Sequence, residues 1–168
     1  MPADSPGARL RLTLHGRKTR YISFEPAGKS MATVAVLVDS RGGHTRKVAE
    51  AIADELGVSV GDIKKRPLPD AEILFLGSGT YGHQPGDEMR YLLRDGTFTG
   101  RKVALFATAG SRDGEKLVRD MAEMVTKKGA QVLGDPAAPG KAIMVRYRNV
   151  HKEDLEAART WARNIAGK

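Results

Sequence analysis

Short apolar runs alternate with amphipathic stretches from Thr33 onward, and this alternation restricts the fold more than any other feature of the chain. Thr33 to Val38 is a nearly continuous apolar run, which is typical of a strand buried on both faces of a sheet. The next stretch, Thr45 to Leu56, places Val48, Ile52 and Leu56 at four-residue spacing, which puts them on one face of a helix. A buried strand followed by an amphipathic helix is the repeating unit of a parallel sheet.

The same unit recurs along the rest of the chain. Further strands are predicted at Val58–Val60, Ile73–Leu76, Val103–Ala107 and Gln131–Leu133, with Met144–Tyr147 continuing the last of them. Further helices are predicted at Asp87–Arg94, from near Asp113 to Gly129, and at Lys152–Ile165. The second of these helices carries Leu117, Val118, Met121, Met124 and Val125 on one face. Met121, Met124 and Trp161 are expected to be core or helix-packing residues. Five strands with helices between them indicate an α/β fold, a three-layer, doubly wound, five-stranded parallel sheet.

The first 30 residues have a different character. The opening M-P-A-D-S-P-G-A is poor in large apolar residues, which indicates a flexible segment. Leu10 to Phe24 alternates apolar with polar residues around His15-Gly16, which predicts at most a marginal hairpin. We therefore expect an N-terminal extension at residues 1–30 and a single domain at residues 31–168. The segment M-A-T-V-A-V-L-V from Met31 is typical of the way a complete domain begins.

Basic residues outnumber acidic ones, 28 against 20. Residues 1–30 hold six of the basic and two of the acidic residues, so half of the excess lies in the extension and the domain is only mildly basic. Nucleic-acid binding is therefore not indicated. The chain has no cysteine and its four histidines are scattered, so no metal site is predicted. No apolar stretch reaches the roughly 20 residues of a membrane-spanning helix, and a cytoplasmic protein is expected.

Three loops follow predicted strands: Asp39–His44, Gly77–Gly86 and Thr108–Gly114. In a doubly wound sheet, ligands bind beyond the carboxyl ends of the strands, and all three loops are rich in glycine, serine and threonine. In the first loop, Gly42 and Gly43 allow a tight turn, and Ser40 and Thr45 supply hydroxyls before a helix N-terminus. This chemistry suits a phosphate.

A simpler interpretation of the first loop is a tight connection in which a hydroxyl caps the following helix. Two further loops of similar chemistry at the same sheet edge favour a ligand. A phosphoreceiver domain has the same fold, but it requires an aspartate where this chain has Gly77-Ser78-Gly79, so that alternative does not fit the residues.

Three segments resemble the flavodoxin family: S-R-G-G-H-T-R-K-V-A, L-G-S-G-T-Y-G and F-A-T-A-G-S-R-D-G. The resemblance extends from about residue 31 to the end of the chain and implies a cofactor, flavin mononucleotide (FMN). The first segment is similar to the family's phosphate signature, [ST]-x-T-G-x-T. Ser40, Gly43 and Thr45 match it, and Arg41 and His44 fill its free positions. Gly42 departs from it, because the family usually has a threonine there.

The resemblance also implies roles for the other two loops. The second loop corresponds to the family's segment beside the isoalloxazine ring, here Ser78, Gly79, Thr80, Tyr81 and Gly82, with Tyr81 as the flat aromatic face. The third corresponds to the segment whose backbone binds the pyrimidine edge of the flavin, here Thr108, Ala109 and Gly110.

The function implied by the resemblance is FMN-dependent electron transfer, with no catalytic side chain predicted. Two alternatives stay open. One is a small FMN-dependent NAD(P)H or quinone-type oxidoreductase, and the other is a basic binding domain that kept the fold and lost the flavin. Carrier flavodoxins are typically acidic, so a basic relative suggests redox partner proteins that are acidic. The sequence leaves the oligomeric state undetermined.

Overall fold

The computed structural model describes residues 8–15, 19–26, 32–109, 113–134, 143–146 and 150–167. The chain divides into two compact units, Met1–Met31 and Ala32–Lys168. In the first unit, strands β1 (Ala8–His15) and β2 (Thr19–Pro26) pair antiparallel, with Leu12 opposite Ile22. The flexible segment expected before Ala8 and the Gly16 turn lie outside the described residues.

The second unit alternates strands and helices. Its strands are β3 (Val34–Asp39), β4 (Val60–Gly61), β5 (Ile73–Gly79), β6 (Lys102–Ala109), β7 (Gln131–Leu133) and β8 (Ile143–Arg146). Its helices are α1 (His44–Leu56), α2 (Asp87–Asp95), α3 (Asp113–Lys127) and α4 (Lys152–Ala166). None of the helices among the described residues has the length and apolar character needed to cross a membrane.

The strands of this unit form one parallel sheet in the order β4-β3-β5-β6-β7, with β8 also paired to β6. β7 pairs with Lys102–Ala104 and β8 with Phe106–Ala109, so the two short strands occupy successive parts of the same edge. The predicted five-stranded, doubly wound sheet is therefore confirmed, with a fifth strand in two pieces. Tyr147, expected in the second piece, lies outside the described residues.

The strand order reverses between β3 and β5. From β3 the chain first adds β4 on one side, and then adds β5 and β6 in succession on the other side. The carboxyl ends of β3 and β5 therefore flank a switch point, the place where a doubly wound sheet leaves a crevice between its loops.

The core lies on both faces of the sheet, because successive strand residues point to opposite sides. Leu37 and Leu74 belong to the cluster beneath α2 and α3, whereas Val36 and Phe75 belong to the cluster beneath α1 and α4. Trp161 packs edge-on against Phe75, with ring centroids 5.6 Å apart and planes at 83°. Its predicted packing role is confirmed.

Met124 does not lie in the core. Met121 on the same helix is fully buried, but 37% of Met124 is exposed. A core position, one of the two roles expected for Met124, is therefore wrong. Met124 lies at the edge of the apolar stripe of α3, where the stripe meets a groove beside α2 rather than the sheet.

Gly77 has a structural explanation that does not involve a ligand. It lies opposite Phe106 in the neighbouring strand, and a Cβ atom at position 77 would overlap the Phe106 ring. The first glycine of G-S-G thus makes room for an aromatic side chain in the core.

Candidate functional site

The loop after β3, the end of β5 with the loop that follows it, and the end of β6 meet around a cavity of about 290 Å³ at the carboxyl end of the sheet. This volume is near the lower end of the range for small-molecule sites, roughly 300 Å³. The lining residues are Ser40, Arg41, Gly42, His44, Thr45, Gly79, Tyr81 and Thr108. None of these eight is acidic, so the described lining suits a neutral or anionic group.

The first loop is organised by the hydroxyl of Ser40. Its Oγ accepts hydrogen bonds from the amides of Gly43 (3.1 Å) and Arg46 (3.2 Å), which supports the start of α1. Because a serine hydroxyl can accept two hydrogen bonds and donate one, the proton of Ser40 stays available to an acceptor in the cavity. Capping and ligand binding are therefore compatible at this residue.

The two loop glycines differ in what they require. Gly43 has a φ of 83°, in the left-handed region that side chains other than glycine rarely adopt. Gly42 is not in this region, and a Cβ atom there would meet only Cδ2 of His44, at an ordinary contact distance of 3.5 Å. The structure therefore needs glycine at position 43 but has space for a side chain at position 42.

Thr45 links the start of α1 to the end of β6. Its side chain is 98% buried in α1, and its Oγ1 lies 2.7 Å from Oγ1 of Thr108. If Thr108 is the donor in this pair, the Thr45 hydroxyl can donate its own proton to a ligand. Two predicted site residues, from loops far apart in sequence, are thus in direct contact.

Hydrogen bonds from Ser78 and Thr80 hold the second loop in place. Ser78 is fully buried, accepts a hydrogen bond from the Gly86 amide (2.9 Å) and donates one to the Gly79 carbonyl (2.8 Å). Thr80 donates to the carbonyl of Thr108 from both its amide (3.1 Å) and its hydroxyl (3.0 Å). These contacts fix the second loop against the end of β6.

A tight turn follows Thr80. Tyr81 and Gln84 exchange two backbone hydrogen bonds, and the residues between them, Gly82 and His83, both have positive φ values of 57° and 64°. Two successive left-handed residues are the signature of a type I′ turn, and histidine tolerates this conformation better than most residues. The turn carries Tyr81 at the rim of the cavity.

The side chain of Tyr81 folds back toward the first loop. Its hydroxyl oxygen accepts a hydrogen bond from the amide of Arg41 (2.8 Å), and the Arg41 guanidinium lies 4.2 Å from the centre of the ring. The same guanidinium forms an ion pair with Asp87 at 3.2 Å. Gly79 permits this arrangement, since a Cβ atom there would lie 2.6 Å from the Tyr81 hydroxyl.

The structure describes two of the three residues predicted for the third loop. Thr108 and Ala109 are both buried at the end of β6, and only Thr108 lines the cavity. Gly110 lies outside the described residues. Among the other predicted residues, Gly43, Ser78, Thr80 and Gly82 shape the loops without lining the cavity.

Asp39 is a residue of this region to which the sequence pattern assigned no role. It ends β3, is only 8% exposed, and accepts a hydrogen bond from the Met89 amide (3.0 Å) in the first turn of α2. Its carboxylate occupies the space beside Gly86. A charged residue at the end of an otherwise apolar strand was the signal that could have indicated this role.

Comparison with known proteins adds the decisive observation. The family model described as flavodoxin matches residues 36–161, three quarters of the chain. The chain belongs to the flavodoxin family. Flavodoxins are FMN-binding electron-transfer proteins, and the matched range includes all three loops of the site. No curated protein matched the chain.

Solved structures show the same flavodoxin fold. Flavodoxin 2 from Bacillus cereus is 20% identical, with a TM-score of 0.68 over 81% of this chain and 99% of that one. A flavodoxin from the domain Archaea is 21% identical, with a TM-score of 0.66 over 80% and 96%. A Fusobacterium nucleatum flavodoxin bound to flavin mononucleotide is 17% identical, with a TM-score of 0.62 over 80% and 97%.

Proposed function

We propose that this flavodoxin-family chain binds FMN in the cavity between its first, second and third loops and passes electrons to a protein partner. The observation that carries the proposal is the first loop, where Ser40 keeps a hydroxyl proton, Gly43 holds a left-handed turn, and α1 begins at the cavity. Loop amides, a hydroxyl and the positive end of a helix together form the donor set that a phosphate requires.

Residues from three parts of the chain would contact different parts of FMN. Ser40, Thr45 and the backbone of residues 41–44 would hold the phosphate, and Tyr81 would offer its ring to one face of the flavin. The third loop, from Thr108, would supply backbone groups to the edge of the ring. When bound, FMN supplies the electron-transfer chemistry, while the protein binds it, orients it and limits its exposure to water.

Titration of the purified protein with FMN, followed by quenching of flavin fluorescence, tests the proposal. We expect FMN to bind at least about tenfold more tightly than riboflavin, because a phosphate at a helix N-terminus with charge-assisted hydrogen bonds contributes more than about 1.4 kcal/mol. Equal binding of both ligands would contradict the phosphate site. Binding of neither would instead favour a basic domain that has lost the flavin.

A groove between α2 and α3 supports a protein as the electron-transfer partner. It has a volume of about 620 Å³ and begins at His83 and Gln84, which belong to the Tyr81 turn, and at Pro85, which follows the turn. The large hydrophobic side chains that are exposed among the described residues are Tyr91 (45%) and Met124 (37%), and both lie in it. A partner seated here would be beside the proposed flavin.

The composition of the groove is that of an interface. Arg90 and Arg94, one turn apart on α2, flank Tyr91, and the Arg94 guanidinium lies 5.2 Å from the Tyr91 ring. Tyrosine, methionine and arginine are the residue types enriched in the centres of protein interfaces. Each arginine is already paired with a neighbouring carboxylate, Arg90 with Asp87 and Arg94 with Asp95. Because these two arginines are paired locally, the argument for an acidic partner is the excess positive charge of the chain as a whole.

We expect added salt to slow electron transfer from the FMN-loaded protein to an acidic redox protein, because salt shortens the range of electrostatic steering to about 10 Å at 0.1 M ionic strength. Arg94→Gln should reduce both the rate and its salt dependence. Arg163→Gln on α4, at the opposite face of the sheet, removes the same charge and should change the rate less. Stopped-flow measurement of the electron-transfer rate of the parent and both variants, at low and at high ionic strength, tests these expectations. A neutral quinone is the control acceptor.

Two results would contradict this partner assignment. A rate to the acidic protein that does not change with ionic strength would exclude electrostatic steering. Sustained NAD(P)H oxidation with a quinone by the FMN-loaded protein, at rates that exceed transfer to redox proteins, would favour the small oxidoreductase instead.

A further inference from the structure

The hydroxyl oxygen of Tyr81 accepts a hydrogen bond from an amide of the proposed phosphate loop. That donor is the amide of Arg41, the second residue of the Ser40–Thr45 loop, and the N–O distance is 2.8 Å. An amide in such a loop would point to a phosphate oxygen when a phosphate is bound. The tyrosine oxygen is therefore placed where it would compete with the phosphate.

Several contacts hold the tyrosine in this position. The guanidinium of Arg41 lies over the ring at 4.2 Å from its centre, at a distance suited to a cation–π contact. Asp87 forms an ion pair with that guanidinium at 3.2 Å, and Arg90 pairs with the same carboxylate. Gly79 leaves the space that the ring and its hydroxyl need. Tyr81, Arg41 and Asp87 thus form a clasp across the first and second loops.

We propose that the Tyr81 hydroxyl competes with the cofactor phosphate for the Arg41 amide, and so sets how strongly the chain prefers FMN to riboflavin. The inference rests on the proposed function. FMN must displace the hydroxyl from the amide before its phosphate is fully bound, whereas riboflavin has no phosphate and leaves the hydrogen bond in place. The clasp therefore weakens FMN binding selectively.

Tyr81→Phe tests the competition because it removes the hydroxyl and keeps the ring that stacks with Arg41. We expect the variant to bind FMN about three- to tenfold more tightly than the parent, the effect of one net hydrogen bond, and to bind riboflavin within about twofold of the parent. The matched control is Tyr91→Phe, which alters another tyrosine stacked with an arginine and should change neither affinity.

Two outcomes of this titration would overturn the inference. Weaker FMN binding by Tyr81→Phe would mean that the hydroxyl helps to hold the cofactor. An equal gain for FMN and riboflavin would mean that the tyrosine obstructs the ring and not the phosphate.

A measurement without flavin separates this inference from the proposed function. In the cofactor-free protein, the Arg41 amide should exchange with solvent deuterium more slowly in the parent than in Tyr81→Phe, because only the parent has the hydrogen bond. In NMR titrations with inorganic phosphate, the Arg41 amide should respond at about three- to tenfold lower concentration in the variant.

These flavin-free measurements test whether the Tyr81 hydroxyl competes with phosphate for the Arg41 amide, even if the parent binds no FMN. Equal exchange rates, or equal responses to phosphate, in the two proteins would overturn the competition. If the amide behaves as expected but FMN does not bind, the proposed cofactor role is wrong and the competition for phosphate stands.

Discussion

Alanine in place of Gly86 should lower the free energy of unfolding by about 1–3 kcal/mol, the usual cost of forcing extra atoms into a packed site. The added Cβ would overlap the Asp39 carboxylate, which is itself buried and bonded to the Met89 amide. The Gly86 amide also donates to Ser78 Oγ, so the carboxylate and the second loop would both have to shift. Urea unfolding of the parent and the variant measures the loss.

A double-mutant cycle identifies the cause. Asp39→Ala alone should also destabilise the protein, because it leaves the Met89 amide without its acceptor. In Asp39→Ala/Gly86→Ala the overlap is absent, so the double variant should be more stable than the sum of the single effects predicts, by about 1 kcal/mol or more. Strict additivity would show that the two residues do not collide.

The control for this cycle is Gly42→Ala. Its added Cβ would have ordinary contacts and its backbone conformation is open to alanine, so the unfolding free energy should stay within about 0.5 kcal/mol of the parent. A loss at Gly42 equal to that at Gly86 would point to a general sensitivity of the loops to substitution.

The sheet could be predicted from sequence because its strands are apolar runs and its helices have one apolar face. Helix α1, for example, was expected at Thr45–Leu56 and lies at His44–Leu56. Periodicity works here because burial on both sides of the sheet leaves little choice of side chain in the strands. Periodicity fails at the edge of a helical stripe. Met121 is buried in the core, whereas Met124, three residues later on the same helix, lines a groove.

The chemistry of the site could be predicted only as far as residue types reveal it. Small and hydroxyl residues after three strands indicated a phosphate-binding edge, and residues of the first two loops and Thr108 at the end of β6 do line one cavity. The contacts that hold the loops could not be predicted, because Asp39 reaches Met89 across 50 residues and the Tyr81 hydroxyl reaches Arg41 across 40. Such pairs have no local signature in the chain.

The same substitution at two adjacent glycines should have opposite effects on FMN binding. Gly42→Thr returns the hydroxyl that the flavodoxin signature has at this position, in a place where the structure has room for a side chain. We expect about tenfold tighter binding, since a hydrogen bond to a charged phosphate contributes about 1.5 kcal/mol or more. Riboflavin affinity should not change, because riboflavin has no phosphate to accept the bond.

Gly43→Thr should weaken FMN binding by about tenfold or more. A β-branched residue in the left-handed conformation costs of order 1–3 kcal/mol, and the loop would relax away from the φ of 83° that shapes it. Isothermal titration with FMN and riboflavin, together with urea unfolding of each variant, separates this effect from a loss of folding. If neither threonine variant changes FMN binding, the phosphate does not lie against residues 40–45. If only Gly42→Thr weakens it, the side chain at position 42 points into space that the cofactor needs, and the loop binds FMN in a different orientation from the one proposed.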